Sequence, residues 1–137
     1  MKAENVAEAV KKGNAVALLK QMYGENRAEE NAARYQLVAD GFAKEFGDKD
    51  FEFFSAPGRT EIGGNHTDHN HGKVLAGSVH LDCVAAAAPN GTHTVNLISE
   101  TYNQHLVIDL DNLAPTEKTT GTEPLLKGIF AGLLEKG

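Results

Sequence analysis

The chain reads as an α+β protein: N-terminal helices, then a mixed β-sheet, then a C-terminal helix. Three features predict this. Apolar residues recur at helical spacing through the first 47 residues, the period shortens to strand-like runs after Gly47, and an apolar stretch, "LLKGIFAGLLEKG", closes the chain. The expected division is a helical segment over 1–47 and a second part over 48–137.

In the helical segment, "NAVALLKQMYG" suits a short helix capped by Asn14 and ended by Gly24. The next helix is longer. Ala28, Ala32, Tyr35, Val38, Phe42 and Phe46 fall at three- and four-residue steps and give one apolar face. Asn26 suits its N-cap, Glu29 and Glu30 complement the dipole in its first turn, and Gly47 follows its last periodic residue. "FEFFSA" then predicts a short strand, followed by a loop with brief extended pieces. Val79 to Ala88 is nearly all apolar and predicts a largely buried strand. Asn90-Gly91 is a hairpin signal, which would return the chain through "HTVNLIS". "QHLVIDL" is a further strand, and Pro124 suits the first turn of the closing helix. Gly128 and Gly132 in that helix predict close packing against a neighbour, either within this chain or partly outside it.

Composition narrows the function classes. A length of 137 residues is one domain's worth, and 41% hydrophobic with 23% charged residues is ordinary globular composition. The net charge of -6 disfavours nucleic acid and anionic membrane as partners, so an anionic ligand needs a local cluster of donors. Cys83 stands alone, which excludes an internal disulfide framework or a multi-cysteine zinc site. The start, "MKAENVAEAVKKGN", is too polar for a secretion signal, and no apolar run approaches membrane-spanning length. The expected location is the cytoplasm, and the sequons at Asn65 and Asn90 are then coincidental.

The chemistry concentrates in "SAPGRTEIGGNHTDHNHGKVLAG", Ser55 to Gly77, which holds three of the six histidines: His66, His69 and His71. With Asp68 these are ligand types that zinc or iron accepts. No second ligand cluster follows, because His80, His93 and His105 are isolated in expected strands. Exposed polar loop residues without a role are the bland alternative. The rest of the run fits a sugar and a phosphate at least as well as a metal. Pro57-Gly58 suits a turn before Arg59, whose five donors match phosphate. Gly63 and Gly64 allow close backbone approach, and Asn65, His66, Thr67 and Asp68 then present an amide, an imidazole, a hydroxyl and a carboxylate in succession. A carboxylate can accept from two neighbouring hydroxyls, while amide and imidazole both donate and accept.

"APGRTEIGGNHTDHNHG", Ala56 to Gly72, resembles the galactokinase signature A-P-G-R-x-N-[LI]-I-G-E-H-x-D-Y-N-x-G. It matches without a gap at Ala56, Pro57, Gly58, Arg59, Gly64, His66, Asp68, Asn70 and Gly72. "FAKEFG" ahead of it and "LLKGIFAGLLEKG" behind it are also similar to the flanks in that family, so the resemblance covers roughly residues 30 to 137. It implies the amino-terminal part of a GHMP-kinase fold. The implied activity is transfer of the γ-phosphoryl group of ATP, with Mg2+, to the anomeric hydroxyl of galactose. Asp68 would hold adjacent sugar hydroxyls, with His66 and Asn65 near the exocyclic CH2OH and Thr67 beside them. Arg59 would stabilise charge at the reacting oxygen. Ser99 is similar to a nucleotide contact, or is an ordinary strand serine.

Departures accompany the matches. Asn65 stands where the family has glutamate, Glu61 where it has asparagine, His69 where it has tyrosine, and Gly63 where it has an apolar residue. The family's "GLSSSA" phosphate loop and downstream catalytic aspartate are not in the 137 residues. Gly58 and Gly63 have the spacing of a phosphate loop, but Gly64-Asn65 follow in place of Lys-Ser/Thr. The expectation is an amino-terminal piece of a longer kinase, inactive alone. A non-catalytic sugar sensor and a metal-dependent hydrolase using the His/Asp run remain the alternatives.

Overall fold

A computed structural model describes residues 1–64, 67–115, 117 and 120–137, without the side chains of Lys11, Asn14 and Asp68. The expected α+β order holds: α1 (Ala3–Lys11), α2 (Asn14–Tyr23), α3 (Ala28–Phe46), β1 (Glu52–Gly63), β2 (Leu75–Ala87), β3 (Thr94–Ser99), β4 (Gln104–Asp109) and α4 (Thr122–Lys136). Where a mixed sheet was expected, the described strands form two antiparallel ladders, β1 with β2 and β3 with β4. The chain divides into two compact units, Met1–Ala88 and Pro89–Gly137.

In the first unit the helix stops are as read from sequence. Gly24 and Gly47 follow α2 and α3 at φ 84° and 81°, where a left-handed backbone favours glycine. The starts differ. Gly13, not Asn14, precedes α2, and Asn26 lies inside a 3-10 turn, Glu25–Arg27, that leads into α3. A 3-10 turn at a helix entrance supplies partners for the first N–H groups without a side-chain cap.

The predicted face of α3 is the packed one. Ala28, Ala32 and Phe42 are buried, as are Asn31 and Ala39 beside them. Phe42 packs with Val6, Ala39 and Phe51, and Phe51 is only 2% exposed. Aromatic rings continue the core along the hairpin, with centroids 4.8 Å apart for Phe42–Phe51, 5.2 Å for Phe51–Phe53 and 4.9 Å for Phe53–Tyr35. Such tilted and edge-on pairs add to area burial. The chain start is tied to the same place: the Met1 amine donates to the Phe51 carbonyl at 2.6 Å, and the Phe51 N–H donates to the Met1 carbonyl at 2.8 Å.

Two sequence expectations fail in this unit. The strand beginning at "FEFFSA" does not stop there but runs on to Gly63, through Pro57 and Arg59. Pro57 is tolerated because it sits next to a bulge in a two-stranded ladder, where its missing N–H leaves no central partner unsatisfied. Nor is the apolar stretch around Val79 to Ala88 buried on both faces. β2 alternates, with Leu81 66% exposed and Cys83 exposed.

In the second unit, β3 and β4 pair from Thr94 opposite Asp109 to Ser99 opposite Gln104, around a fully buried Ile108. Asn90-Gly91 is not a hairpin turn between paired strands, since β2 pairs with β1 and β3 with β4. The Asn90 side chain instead folds the start of this unit. Its Oδ1 accepts from the Thr92 N–H at 2.9 Å, and its Nδ2 donates to the Thr94 carbonyl at 2.8 Å. Asn readily makes such local side-chain turns. Pro124 lies in the first turn of α4, as expected, and Thr122 Oγ1 donates to Gln104 Oε1 at 3.2 Å. A Cβ at Gly128 or Gly132 would meet nothing within 4 Å among the described residues, so those residues do not supply the expected close neighbour.

Candidate functional site

The polar run occupies the far end of the β1–β2 hairpin, away from the aromatic core. The ladder runs in register from Glu52 opposite Ala87 to Pro57 opposite Asp82, then shifts, and resumes with Arg59 opposite Ser78. Gly58 alone therefore faces Val79, His80 and Leu81. Pro57-Gly58 does not form the expected turn; it forms one side of a bulge. A Cβ on Gly58 would lie 3.1 Å from the Leu81 carbonyl oxygen, so the bulged strand is close enough to favour glycine. Arg59 is exposed just beyond it.

A second shift between Glu61 and Gly63 ends the ladder at Gly63 opposite Leu75. Gly64 has φ 112°, and a Cβ there would lie 2.6 Å from the Lys73 carbonyl oxygen and 2.7 Å from Val74 Cα. A short turn follows. The Thr67 carbonyl accepts from the Asn70 N–H at 3.0 Å and from the Gly72 N–H at 2.8 Å, enclosing the 3-10 turn Asp68–Asn70. Gly72 packs directly on Thr67: a Cβ on it would overlap the Thr67 Cβ and Oγ1 and lie 2.7 Å from its carbonyl oxygen. His71, between them, takes φ 62°.

Of the residues expected to bind sugar, Thr67 and the backbone of Asp68 are therefore set side by side in this turn. Asn65 and His66 lie outside the described residues. Thr67 is exposed, and its carbonyl and side chain build the turn. His69 Nε2 lies 3.2 Å from the Asn70 Nδ2. Ser99 belongs to the other unit, where it ends β3 opposite Gln104. No group of three or more His, Cys, Asp or Glu among the described residues could hold a metal ion, and His66 with the Asp68 side chain lies outside them.

Gly58 and Gly63, which have phosphate-loop spacing, lie within β1 and lead into no helix, so they present no helix N-terminus to a phosphate.

Sequence reading missed one constellation altogether. Asp82 of β2, its side chain 4% exposed, lies under the helices. Its Oδ2 accepts from the Tyr23 and Ser55 hydroxyls, each at 2.5 Å. Its Oδ1 and its main-chain carbonyl accept from Arg34 Nη1 and Nη2, also at 2.5 Å. Burial alone would raise the carboxyl's pKa, but the donors Ser55, Tyr23 and Arg34 outweigh it and hold Asp82 down at about 2. Burial and the hydrogen bond to Asp82 push the Tyr23 phenol up. Arg34 Nη1 also donates to the Asn31 Oδ1 at 3.2 Å, and Tyr23 meets the Tyr35 hydroxyl at 3.0 Å. The available signal was one carboxylate in a largely apolar strand, which a buried position accepts only when paired.

The galactokinase galactose-binding signature matches residues 40–89, a span that includes the end of α3, the whole hairpin and the turn. Over this part the chain is similar to galactokinases. It is 36% identical over 93 residues to the galactokinase of Lactococcus lactis subsp. lactis, covering 67% of this chain and 23% of that one. The galactokinase of L. lactis subsp. cremoris is 35% identical over 83 residues, 60% of this chain and 21% of its own. That of Lacticaseibacillus casei is 34% identical over 73 residues, 53% and 19% respectively. The chain thus spans about a quarter or less of the length of these relatives. No solved structure matches it.

Within the signature, the departure at Gly63 has a testable consequence. Nothing lies within 4 Å of a Cβ built there, and its φ is outside the left-handed region. Gly63→Val is therefore expected to stabilise the chain by about 0.5–1 kcal/mol, through lower unfolded-state entropy and better strand propensity. Urea unfolding followed by circular dichroism checks this; a lower midpoint would show that the position needs glycine.

Proposed function

We propose that this chain is the galactose-holding, amino-terminal part of an ATP-dependent sugar 1-kinase that makes galactose 1-phosphate. The observation that carries the reading is the coincidence of the galactose-binding signature with one continuous hairpin and its turn. In it, Asp68 accepts from two neighbouring sugar hydroxyls, while His66 and Asn65 address the exocyclic end of the sugar and Thr67 holds the turn beside them. Arg59 stabilises the charge that develops on the transferred group. When bound, ATP with Mg2+ supplies the phosphoryl group. Ser99 contacts the nucleotide. Asn65, shorter and neutral compared with the family's glutamate, gives a weaker contact, since charge-assisted hydrogen bonds are roughly twice as strong as neutral ones.

The cytoplasm is the natural place for such an enzyme. No helix among the described residues is long and apolar enough to cross a membrane.

The whole gene product should release ADP in the presence of galactose, whereas the 137-residue chain should not. In the whole protein, Asp68→Ala should weaken galactose binding by about 1–3 kcal/mol, because hydroxyls buried against it lose their acceptor. Unchanged galactose affinity would remove Asp68 from the site. Galactose binding without ADP release would favour the sensor, and near-stoichiometric zinc or iron surviving dialysis would favour the hydrolase.

A further inference from the structure

We propose that Gly58 is a positioning residue for Arg59: its missing side chain lets β2 close onto β1 at the bulge, and that close approach sets where Arg59 stands. The inference rests on the reading of Arg59 as the charge-stabilising group. Its basis is the count of residues across the bulge. Pro57 pairs with Asp82 and Arg59 with Ser78, so Gly58 alone opposes Val79, His80 and Leu81. An unshifted ladder would place Arg59 opposite His80, and β2 thus carries two surplus residues, about 7 Å of strand. A bulged strand bends and twists to take up such a surplus. Here it closes over Gly58, with the Leu81 carbonyl oxygen 3.1 Å and the Val79 Cγ2 3.3 Å from where a Cβ would stand. Across a regular ladder the facing Cβ is about 4.5–5.5 Å away. At the second shift, by contrast, a Cβ on Gly63 would meet nothing within 4 Å.

The φ of Gly58 lies outside the left-handed region, so alanine there is opposed by lack of space and not by backbone strain. Its methyl would need a neighbour to yield by a few tenths of an ångström. Which strand yields decides the consequence. The Val79 side chain can turn aside, but the Leu81 carbonyl is main chain. Residues on both sides of it are tied to the helical layer. Arg27 Nη1 donates to the His80 carbonyl at 3.4 Å, and Arg34 holds both the carbonyl and the carboxylate of Asp82. Among the described residues, neither Gly58 nor Arg59 has a hydrogen bond to the helices. β1 is therefore the strand that gives, and the displacement falls on Arg59, the next residue. Misplacement of a reacting group by about 1 Å can cost 100-fold in rate, so a few tenths should cost about 5-fold. The turn beyond is closed by its own bonds, from the Asn70 and Gly72 N–H groups to the Thr67 carbonyl, and sugar affinity is spared.

Two measurements test this. In the 137-residue chain, residual dipolar couplings should show the N–H groups of Arg59–Gly63 reoriented against those of Glu52–Ala56 in Gly58→Ala. Reorientation confined to Val79–Leu81, or none, overturns the proposal. In the whole gene product, Gly58→Ala should lower kcat by about 5-fold or more, while galactose affinity by calorimetry changes by less than about 2-fold. With Arg59→Ala already present, the same substitution should lower kcat by less than about 2-fold. Native kcat in Gly58→Ala, a matching fall in galactose affinity, or equal losses of kcat in both backgrounds would each overturn the positioning role while the kinase reading stands. If Gly58→Ala does not fold, Gly58→Ala with Val79→Ala takes its place, compared with Val79→Ala alone, since the methyl 3.3 Å from the new one is then gone. If Arg59→Ala alone leaves kcat intact, the reading of Arg59 fails and the proposal with it.

Discussion

Asp82→Ala is expected to destabilise the helix–hairpin unit by about 3 kcal/mol at pH 7. Removing one partner of a buried ion pair typically costs 3–5 kcal/mol, because the remaining charge stays desolvated. The low end applies: the Arg34 side chain is 35% exposed and can be hydrated once Asp82 is gone. Two hydroxyls, of Tyr23 and Ser55, lose their acceptor as well, although Tyr23 keeps its contact with Tyr35. The pH dependence follows from the same contacts. Asp82 titrates at about 2 in the folded chain against an ordinary 3.8. A depressed carboxyl pKa stabilises the folded state above the unfolded value, and that stabilisation fades as pH falls through the folded value. The contribution, roughly 2 kcal/mol from the size of the shift, should therefore be complete above about pH 5 and largely gone near pH 2. Urea midpoints of the 137-residue chain between pH 2 and 7 check both statements. Asp82→Ala should lower the midpoint at pH 7 and flatten its slope between pH 4 and 2. A variant as stable as the native chain at pH 7 would show that the cluster contributes nothing net.

What was legible in the sequence was whatever repeats or terminates. The face of α3 shows as a period from Ala28 to Phe46, and Gly24 and Gly47 mark stops because a left-handed residue is needed there. The signature glycines were legible for a related reason. Gly58, Gly64 and Gly72 each stand where a Cβ would meet backbone or a neighbouring side chain closely, so their spacing encodes the bulge and the turn.

What the sequence could not convey is pairing between distant segments. Pro57-Gly58 has the composition of a turn, and only the partner strand at Val79–Leu81 makes it a bulge. Asn90-Gly91 has the composition of a hairpin, yet β2 is already paired with β1, so the local signal serves an Asn side-chain turn. Asp82 was absorbed into an apolar run because its partners lie 27 to 59 positions away in sequence. A buried carboxylate announces that it has partners but not which ones.

The other large effect concerns the turn proposed to hold the sugar, where Gly72→Ala should abolish measurable galactose binding while leaving the helical layer folded. The added methyl would overlap the Thr67 Cβ and Oγ1 and approach its carbonyl oxygen at 2.7 Å. That carbonyl is the acceptor that closes the turn, taking the Asn70 and Gly72 N–H groups. Thr67 can rotate its side chain, but its carbonyl cannot move without opening the turn and carrying Asp68 with it. Overpacking of this kind costs about 1–3 kcal/mol. The core around Phe42 and Phe51 lies at the other end of the hairpin, so the strain should be released locally. Gly64→Ala should act in the same way, through φ 112° and the Lys73 carbonyl 2.6 Å from the new methyl. Gly63→Ala is the control, since its Cβ meets nothing within 4 Å. Calorimetry with galactose on the three variants of the whole protein, with far-ultraviolet circular dichroism as the check on folding, should separate adjacent glycines. The variants at 64 and 72 should be folded and silent, and the one at 63 should bind. Native affinity in Gly72→Ala would mean that the turn enclosed by Thr67 and Gly72 does not hold the sugar, and the role given to Asp68 would fall with it.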